Sequence, residues 1–334
     1  MASNNKAFVR DVKKFLKRNS MILVALFILV VALSIFTNTF LTKDNLLSVV
    51  RQCSVEAVLA FGMALVLIIG CIDLSVSSVV ALSGCICVYL IEISGFPTEV
   101  AVLLTLLFGA FCGLANGLIA AFTTIPAFII TLATQQVFRG AAYLMTNGKS
   151  IMCYDEKFGA IGTGNIGPIP ILGIIIVICV IVTSVILNRT KFGRGMYAIG
   201  GNRNAAIYAG IKVRKITCLV FVMTGVLSAM SGIMLASRVY SGQPAAANGY
   251  EGNAIAAAVL GGVSFSGGVG TIGGVLIGVF IIGFMNNGLN MLHVTSYWQI
   301  IVTPFMALHY KSMMQKIKYL LGNRRLFLKA AVLA

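Results

Sequence analysis

The sequence predicts an all-α fold: a polytopic transmembrane helical bundle of about ten spans (eight to ten), N-in and C-in, with some helices short or broken. Three observations predict it. Of the 334 residues, 59% are hydrophobic and 10% charged, too little charge to cover a water-soluble surface of this size. The apolar runs continue for about 20 residues, the length of a helical span, whereas barrel strands alternate over about 10. Lipid offers the backbone no hydrogen-bond partners, so only helices or a closed barrel can cross it, and the run lengths decide for helices. Third, the basic residues gather at the margins of apolar runs, where orientation signals lie.

Reading those runs against breakers places the spans at 21–41, 53–70, 74–93, 99–121, 126–146, 169–188, 216–237, 252–266, 270–291 and 297–310. The first is too long for the apolar region of a signal peptide and lacks a small-residue cleavage site, so it is expected to remain as a span. The eighth is short and rich in Gly and Ala, which suits a broken or re-entrant segment lining protein or water. Pro97, Pro126, Pro168, Pro170 and Pro244 flank spans, where they break helices harmlessly. Pro304 falls inside the tenth. About 14 residues there would reach about 21 Å as a helix, short of the roughly 30 Å hydrocarbon core. That span is expected to begin earlier, thin the bilayer, or continue into the basic tail.

Residues 1–20 carry six Lys/Arg, residues 188–215 seven and residues 310–334 six, together 19 of the 25 in the chain. Ten crossings from an inside N-terminus put all three clusters in the cytoplasm, as the positive-inside rule asks. The organisation is then a cytoplasmic basic tail (1–20), one transmembrane domain (21–310) with a cytoplasmic loop at 188–215, and a second basic tail (311–334). The net charge of +16 implies no nucleic acid, because no soluble basic domain remains to hold a phosphate backbone. The eight cysteines include no C-x-x-C pair, so neither a disulfide framework nor a zinc site is expected.

Several motifs have ordinary explanations. Two G-x-G-x-x-G matches, Gly162–Gly167 and Gly268–Gly273, lack the strand and βαβ unit of a dinucleotide site. Gly109, Gly113 and Gly117 form consecutive G-x-x-x-G steps, and Gly274 with Gly278 another; helix packing is their expected task. Asn286, Asn287 and Asn290 place amides on one apolar helix, and Asn116 and Gln135 do so on two others. Neutral donors and acceptors suit the passage of a sugar, and equally suit bonds between helices. Among charges within or near spans, Asp73 is expected to cap a helix start. Glu56, Glu92 and Glu251 are read as close to water at span ends, and Arg139 as snorkelling outward. No nucleophile–base–orienter set is visible, so no enzyme is expected.

The cytoplasmic loop is the most informative segment. Asn202 can cap a short helix holding Ala205, Ala206 and Ala209, with Gly210 as its stop, and small residues let such a helix lie deep in a partner's groove. The segment Gly200-Gly201-Asn202, Ala205-Ala206, Ala209-Gly210-Ile211 resembles the coupling-loop motif of ribose-type ABC sugar importer permeases. Further matches follow that family's order. They are Ile69-Gly70-Cys71-Ile72-Asp73-Leu74-Ser75-Val76-Ser77, Gly113-Leu114-Ala115-Asn116-Gly117, Ile125-Pro126-Ala127-Phe128-Ile129, Thr131-Leu132-Ala133 and Arg139-Gly140. Gln243-Pro244, Gly249-Tyr250-Glu251, the run Ala256 to Gly262 and Asn286-Asn287-Gly288-Leu289-Asn290 continue it. Ordered motifs over roughly residues 45–302 are far more specific than any one of them.

The resemblance implies a permease subunit of the bacterial cytoplasmic membrane, without covalent chemistry or a cofactor of its own. It implies a separate cytoplasmic ABC ATPase that carries ATP and Mg and docks at Gly201, Asn202, Ala205, Ala206, Ala209 and Gly210. It also implies an extracytoplasmic sugar-binding protein and a second permease copy or a paralogue. No G-x-x-x-x-G-K-[ST] occurs in the chain. An ion-gradient-driven secondary transporter of a small polar solute is the rival reading, and it would want carboxylates at mid-membrane on several helices. After Tyr297-Trp298-Gln299-Ile300-Ile301-Val302 the chain departs from the family, whose final span would be longer and apolar.

Overall fold

A computed structural model describes residues 19–295 apart from Met21 and Asn38, together with Trp298 and Ile301. All of the tenth span but Trp298 and Ile301, the C-terminal tail and nearly all of the N-terminal tail lie outside the described residues. Helix α1 runs Ile22–Phe36. It is followed by α2 (Lys43–Ile68), α3 (Val76–Glu92), α4 (Thr98–Phe122), α5 (Ala127–Thr146), α6 (Glu156–Thr163) and α7 (Ile171–Arg189). Then come α8 (Lys191–Gly201), α9 (Arg203–Tyr208), α10 (Val213–Arg238), α11 (Tyr250–Leu260) and α12 (Ile272–Met291). Four two-residue strands complete the described chain: β1 (Ile151–Met152) pairs antiparallel with β4 (Ser241–Gly242), and β2 (Asn165–Ile166) with β3 (Ile169–Pro170). Among the described residues α2, α4, α7, α10 and α12 are long and apolar enough to cross a membrane; α1 and α3 are shorter apolar helices. The protein is a polytopic helical membrane protein.

A helix lies at each of the first nine expected spans, but three boundaries move. Helix α2 begins at Lys43, not residue 53, because its first turns are polar and held by specific partners that hydropathy cannot register. Asn45 exchanges amide hydrogen bonds with Asn287 of α12 at 3.0 and 2.8 Å. Arg51 donates to the carbonyl of Thr163 at 3.2 Å and to Asn165 Oδ1 at 3.0 Å. The extra turns also bury Glu56, which is 8% exposed and not in reach of water as its distance from the apolar boundary implied. Helix α1 stops at Phe36, where Thr37 folds its hydroxyl onto the Leu33 carbonyl at 2.7 Å. Helix α11 ends at Leu260 rather than 266, because Gly262 takes φ +87° and turns the chain.

Helices α2 and α10 form the centre: 83% of the most apolar window of α2 is buried, against 28% for α7 at the periphery. Lipid tails are as apolar as leucine, so association between these helices rests on close packing and hydrogen bonds rather than on escape from water. Helix α4 packs on α10 through the glycine row seen in the sequence. A Cβ on Gly113 would stand 2.2 Å from the Phe221 carbonyl oxygen, and one on Gly109 2.6 Å from that of Gly225. Gly225 answers from α10, where a Cβ would meet the Gly109 carbonyl oxygen at 2.1 Å. Only hydrogen fits on both sides of this crossing. Gly274 and Gly278 serve the same purpose between α12 and α11, facing the carbonyls of Gly261 and Ala257.

The bundle has two distinct ends. At one, the amide of Gly268 donates to the Ile68 carbonyl at 2.9 Å, Gly200 lies against that same carbonyl, and Asn19, Asn188, Tyr197 and Thr271 share a cavity. The chain therefore returns to one end after α2, α7 and α11, so α11 carries it back although it has only 11 residues. At the other end α6 forms a cap that the sequence did not predict. Asp155 accepts from the Phe158 amide at 2.6 Å and from the Thr98 hydroxyl at 2.8 Å. Ser237 donates to the Phe158 carbonyl and accepts from the Gly162 amide at 2.7 Å. Cys153 is buried in the apolar cluster under this cap; burial pushes its thiol up to about 11, which leaves it unreactive. The first G-x-G-x-x-G match closes α6 and runs into the β2–β3 hairpin, and the second leads into α12, so neither has a dinucleotide fold around it.

Candidate functional site

The loop at residues 188–215 folds into two helices. Thr190 caps α8, its hydroxyl accepting from the Gly193 amide at 3.0 Å. Asn202 caps α9, its Oδ1 accepting from the Ala205 amide at 3.0 Å. The stop is a Schellman turn: Gly210 at φ +76° donates to Ile207, and Ile211 donates to Ala206, at 2.9 and 3.0 Å. The helix is one residue shorter than expected, since Ala209 is its C-cap. Ala206 faces the bundle and is buried, while Gly201, Asn202, Ala205, Ala209 and Gly210 are exposed. Sequence reading missed the two large side chains at the tip, Ile207 and Tyr208, which are 52% and 90% exposed. No alternation flags a six-residue helix, so only its placement reveals them.

The preceding residue, Gly200, joins this element to the interior. A Cβ there would fall 1.9 Å from the Ile68 carbonyl oxygen and 2.3 Å from the Gly268 nitrogen. The end of α8 thus presses on the end of α2 and on the turn between α11 and α12. Directly after Ile68 the chain is non-helical to Ser75. Asp73 accepts there from the Ser75 amide at 2.9 Å and the Ser75 hydroxyl at 2.6 Å. It closes a local turn ahead of α3 and does not cap the helix, whose N-cap is Ser75. Asn116 of α4 donates to the Ser75 hydroxyl at 2.8 Å.

A second non-helical segment lies between α10 and α11, and α5 reaches both. Thr131, Gln135 and Arg139 are spaced four apart, so they share one face of the helix. The Thr131 hydroxyl accepts from the Leu74 amide at 3.0 Å and donates to the Ile72 carbonyl at 3.3 Å. Gln135 donates to Glu251 at 3.4 Å. Arg139 donates to the carbonyls of Pro244 and Ala246 at 2.8 and 2.7 Å. Its guanidinium does not snorkel outward: it satisfies backbone carbonyls that have left a helix and would otherwise be unpaired, the condition for irregular backbone in this setting. One polar stripe therefore ties together the two breaks in the bundle.

This arrangement, a capped surface helix coupled through a glycine contact to paired broken segments, can be compared with known proteins. Residues 45–309 match the family model described as branched-chain amino acid transport system / permease component. The chain belongs to this family. Among curated permeases, it is 43% identical to the ribose import permease protein RbsC of Bacillus subtilis over 287 residues, covering 85% of this chain and 89% of that one. It is 40% identical to RbsC of Escherichia coli K12 over 294 residues (86% and 90%). It is also 40% identical to the L-arabinose transport system permease protein AraH of the same organism over 286 residues (86% and 87%). No solved structure matches the chain.

Within this permease the five candidate amides do not converge. Asn116 is buried at 1% exposure and engaged with Ser75. Asn287 is paired with Asn45 at the end of the bundle away from α9. On α12, Asn286 turns inward and Asn290 is exposed. Gln135 lies on the polar stripe of α5. The sequence contained the spacing of Thr131, Gln135 and Arg139, but a threonine in an apolar run carries no charge to draw notice.

Proposed function

We propose that the chain is the membrane permease subunit of an ATP-binding-cassette importer for a pentose or similar small sugar. One observation carries the reading: α9 is a capped, exposed helix whose base, Gly200, touches the α2 terminus at the first break of the bundle. Force applied at residues 201–210 by a separate ATPase, which holds the ATP and Mg, passes through that contact to the segment 69–75. From there the α5 stripe carries it to the segment before α11. The names of the ribose and arabinose permeases above support the substrate class. A sugar-binding protein delivers substrate at the far face, and a second permease copy or a paralogue supplies the other docking helix for a paired ATPase.

The topology proposed with this function has ten spans with both ends in the cytoplasm of a bacterial cell membrane. The return of the chain to one end after α2, α7 and α11 supports the even count up to α12. The candidate pathway lining is Asn116, Gln135, Asn286, Asn287 and Asn290. Gln135 has the most support, because it stands between the two breaks. Proteoliposomes holding this chain, its ATPase and its binding protein should take up labelled ribose only with ATP inside. Deleting residues 202–211 should abolish both ATPase docking and uptake. Uptake driven by a proton or sodium gradient without the ATPase would overturn the proposal.

A further inference from the structure

Next to α9, at the junction of α4 and α10, lies a cavity of about 710 Å³ lined by Arg203, Lys212, Arg214 and Lys215. Its lining holds no carboxylate. Among the described residues the four cations form no ion pair; the salt bridge found there joins Lys157 to Glu99 at the other end of the bundle. The rest of the wall is apolar or neutral, with Ile207, Ile211 and Val213 on one side and Phe122, Thr123 and Thr124 on the other. Arg214 is held in place by Phe122, its guanidinium carbon 5.3 Å from the ring centroid.

The cavity opens where a membrane helix ends. Leu107, Phe111, Leu114, Leu118 and Phe122 follow one another at helical spacing along α4, and each is 40–64% exposed. This apolar stripe leads from mid-helix directly into the cationic pocket. Leu219 of α10, 41% exposed, stands one turn beyond Lys215. A ligand matching both features has an anionic head at the depth where α4 ends and a hydrocarbon tail lying along the helix.

We propose that this cavity is a binding site for an anionic glycerophospholipid, its phosphate between Lys212, Arg214 and Lys215 and an acyl chain along the α4 stripe. Basic pockets between membrane helices are suited to such headgroups, each Lys or Arg adding about a factor of five in affinity. The site gives the lipid a place beside the coupling helix, in contact with Arg203 and Ile207 of α9. The inference needs only that α4 crosses the membrane, so it stands whether or not the importer reading holds.

The test is native mass spectrometry and thermal melting of the detergent-purified full chain, titrated with phosphatidylglycerol, phosphatidylcholine or inorganic phosphate. Phosphatidylglycerol should bind and raise the melting temperature. The triple variant Lys212→Gln/Arg214→Gln/Lys215→Gln should weaken that binding about 100-fold, while Lys191→Gln/Arg194→Gln, on the neighbouring helix, leaves it unchanged. Phosphatidylcholine should not distinguish wild type from triple variant, and excess phosphate should not displace the lipid. If the triple variant fails to fold, Arg214→Gln alone should lower affinity about fivefold. Equal phosphatidylglycerol affinity in wild type and variant would overturn the proposal, as would displacement by free phosphate. Loss of self-association without loss of lipid binding would instead assign the surface to a second copy and equally overturn it.

Discussion

Helices α4 and α10 meet backbone to backbone, through glycines whose missing side chains are the contact. Helix α5 meets its neighbours differently: Thr131 and Arg139 reach into segments that are not helical, and Gln135 reaches the first turn of α11. The difference follows from where backbone hydrogen bonds are satisfied. A continuous helix pairs its own amides and carbonyls, so its neighbour need supply only shape, and close packing is the attraction available between helices in lipid. A broken segment has unpaired carbonyls, each costly to leave so, and its neighbour must supply donors. The first seam is a frame with one geometry. The second is built from discrete bonds at the two places where the chain can bend, next to the contact that leads to α9.

The sharpest way to break the frame is Gly113→Val. The new side chain begins 2.2 Å from the Phe221 carbonyl oxygen, and backbone on both sides leaves nothing flexible to yield. Overpacking ordinarily costs about 1–3 kcal/mol; here at least about 3 kcal/mol is expected. The measurement is the yield of monodisperse protein and its melting temperature in detergent. A variant as stable as wild type would mean that the α4–α10 crossing is not as tight as described.

The stripe breaks next at Arg139→Leu. Two charge-assisted bonds to Pro244 and Ala246 are lost, each such bond contributing about 1.5–3 kcal/mol. Alternative partners in the loosened segment reduce the net loss to about 2–3 kcal/mol. Arg139→Lys should recover part of it, whereas no conservative change rescues Gly113. Hydrogen exchange of the amides in 245–249 should rise in Arg139→Leu without a matching rise along α4.

Much of this contrast was legible in the residues. Continuous apolar runs gave nine helices near their observed places, and the G-x-x-x-G steps announced a close crossing. They could not name the partner, because α10 answers the row with the single glycine Gly225 and otherwise with Cys218, Phe221 and Ala229. Asn202 and Gly210 bounded α9 to within a residue, since caps and left-handed stops are local chemistry. What escaped was non-local or polar. Six of the first ten residues of α2 are polar, and this stretch is held by Asn287, Thr163 and Asn165. Arg139 looked like a charge seeking water because the carbonyls it satisfies lie 105 and 107 residues away.

Asn116 separates packing from transport on a smaller scale. Its amide donates to Ser75 across the α4–α3 boundary. Asn116→Ala should cost about 1 kcal/mol, within the range for hydrogen bonds between membrane helices. Uptake by the reconstituted system should keep its KM for sugar if the amide serves the frame. A severalfold rise in KM at unchanged stability would move Asn116 from the frame to the pathway.

The smallest effect is expected where two amides meet at the outer margin. Asn45 and Asn287 exchange two hydrogen bonds, at 3.0 and 2.8 Å, and both residues are only partly buried. Water is close enough to replace either partner, so their mutual coupling should fall near the average for bonds between membrane helices, about 0.6 kcal/mol. A double-mutant cycle of Asn45→Ala, Asn287→Ala and the pair, read by thermal melting, isolates that value from the cost of each truncation. A coupling as large as the loss in Arg139→Leu would show that the margin is as dry as the interior. The stripe on α5 would then owe its strength to charge alone rather than to its position between the two breaks.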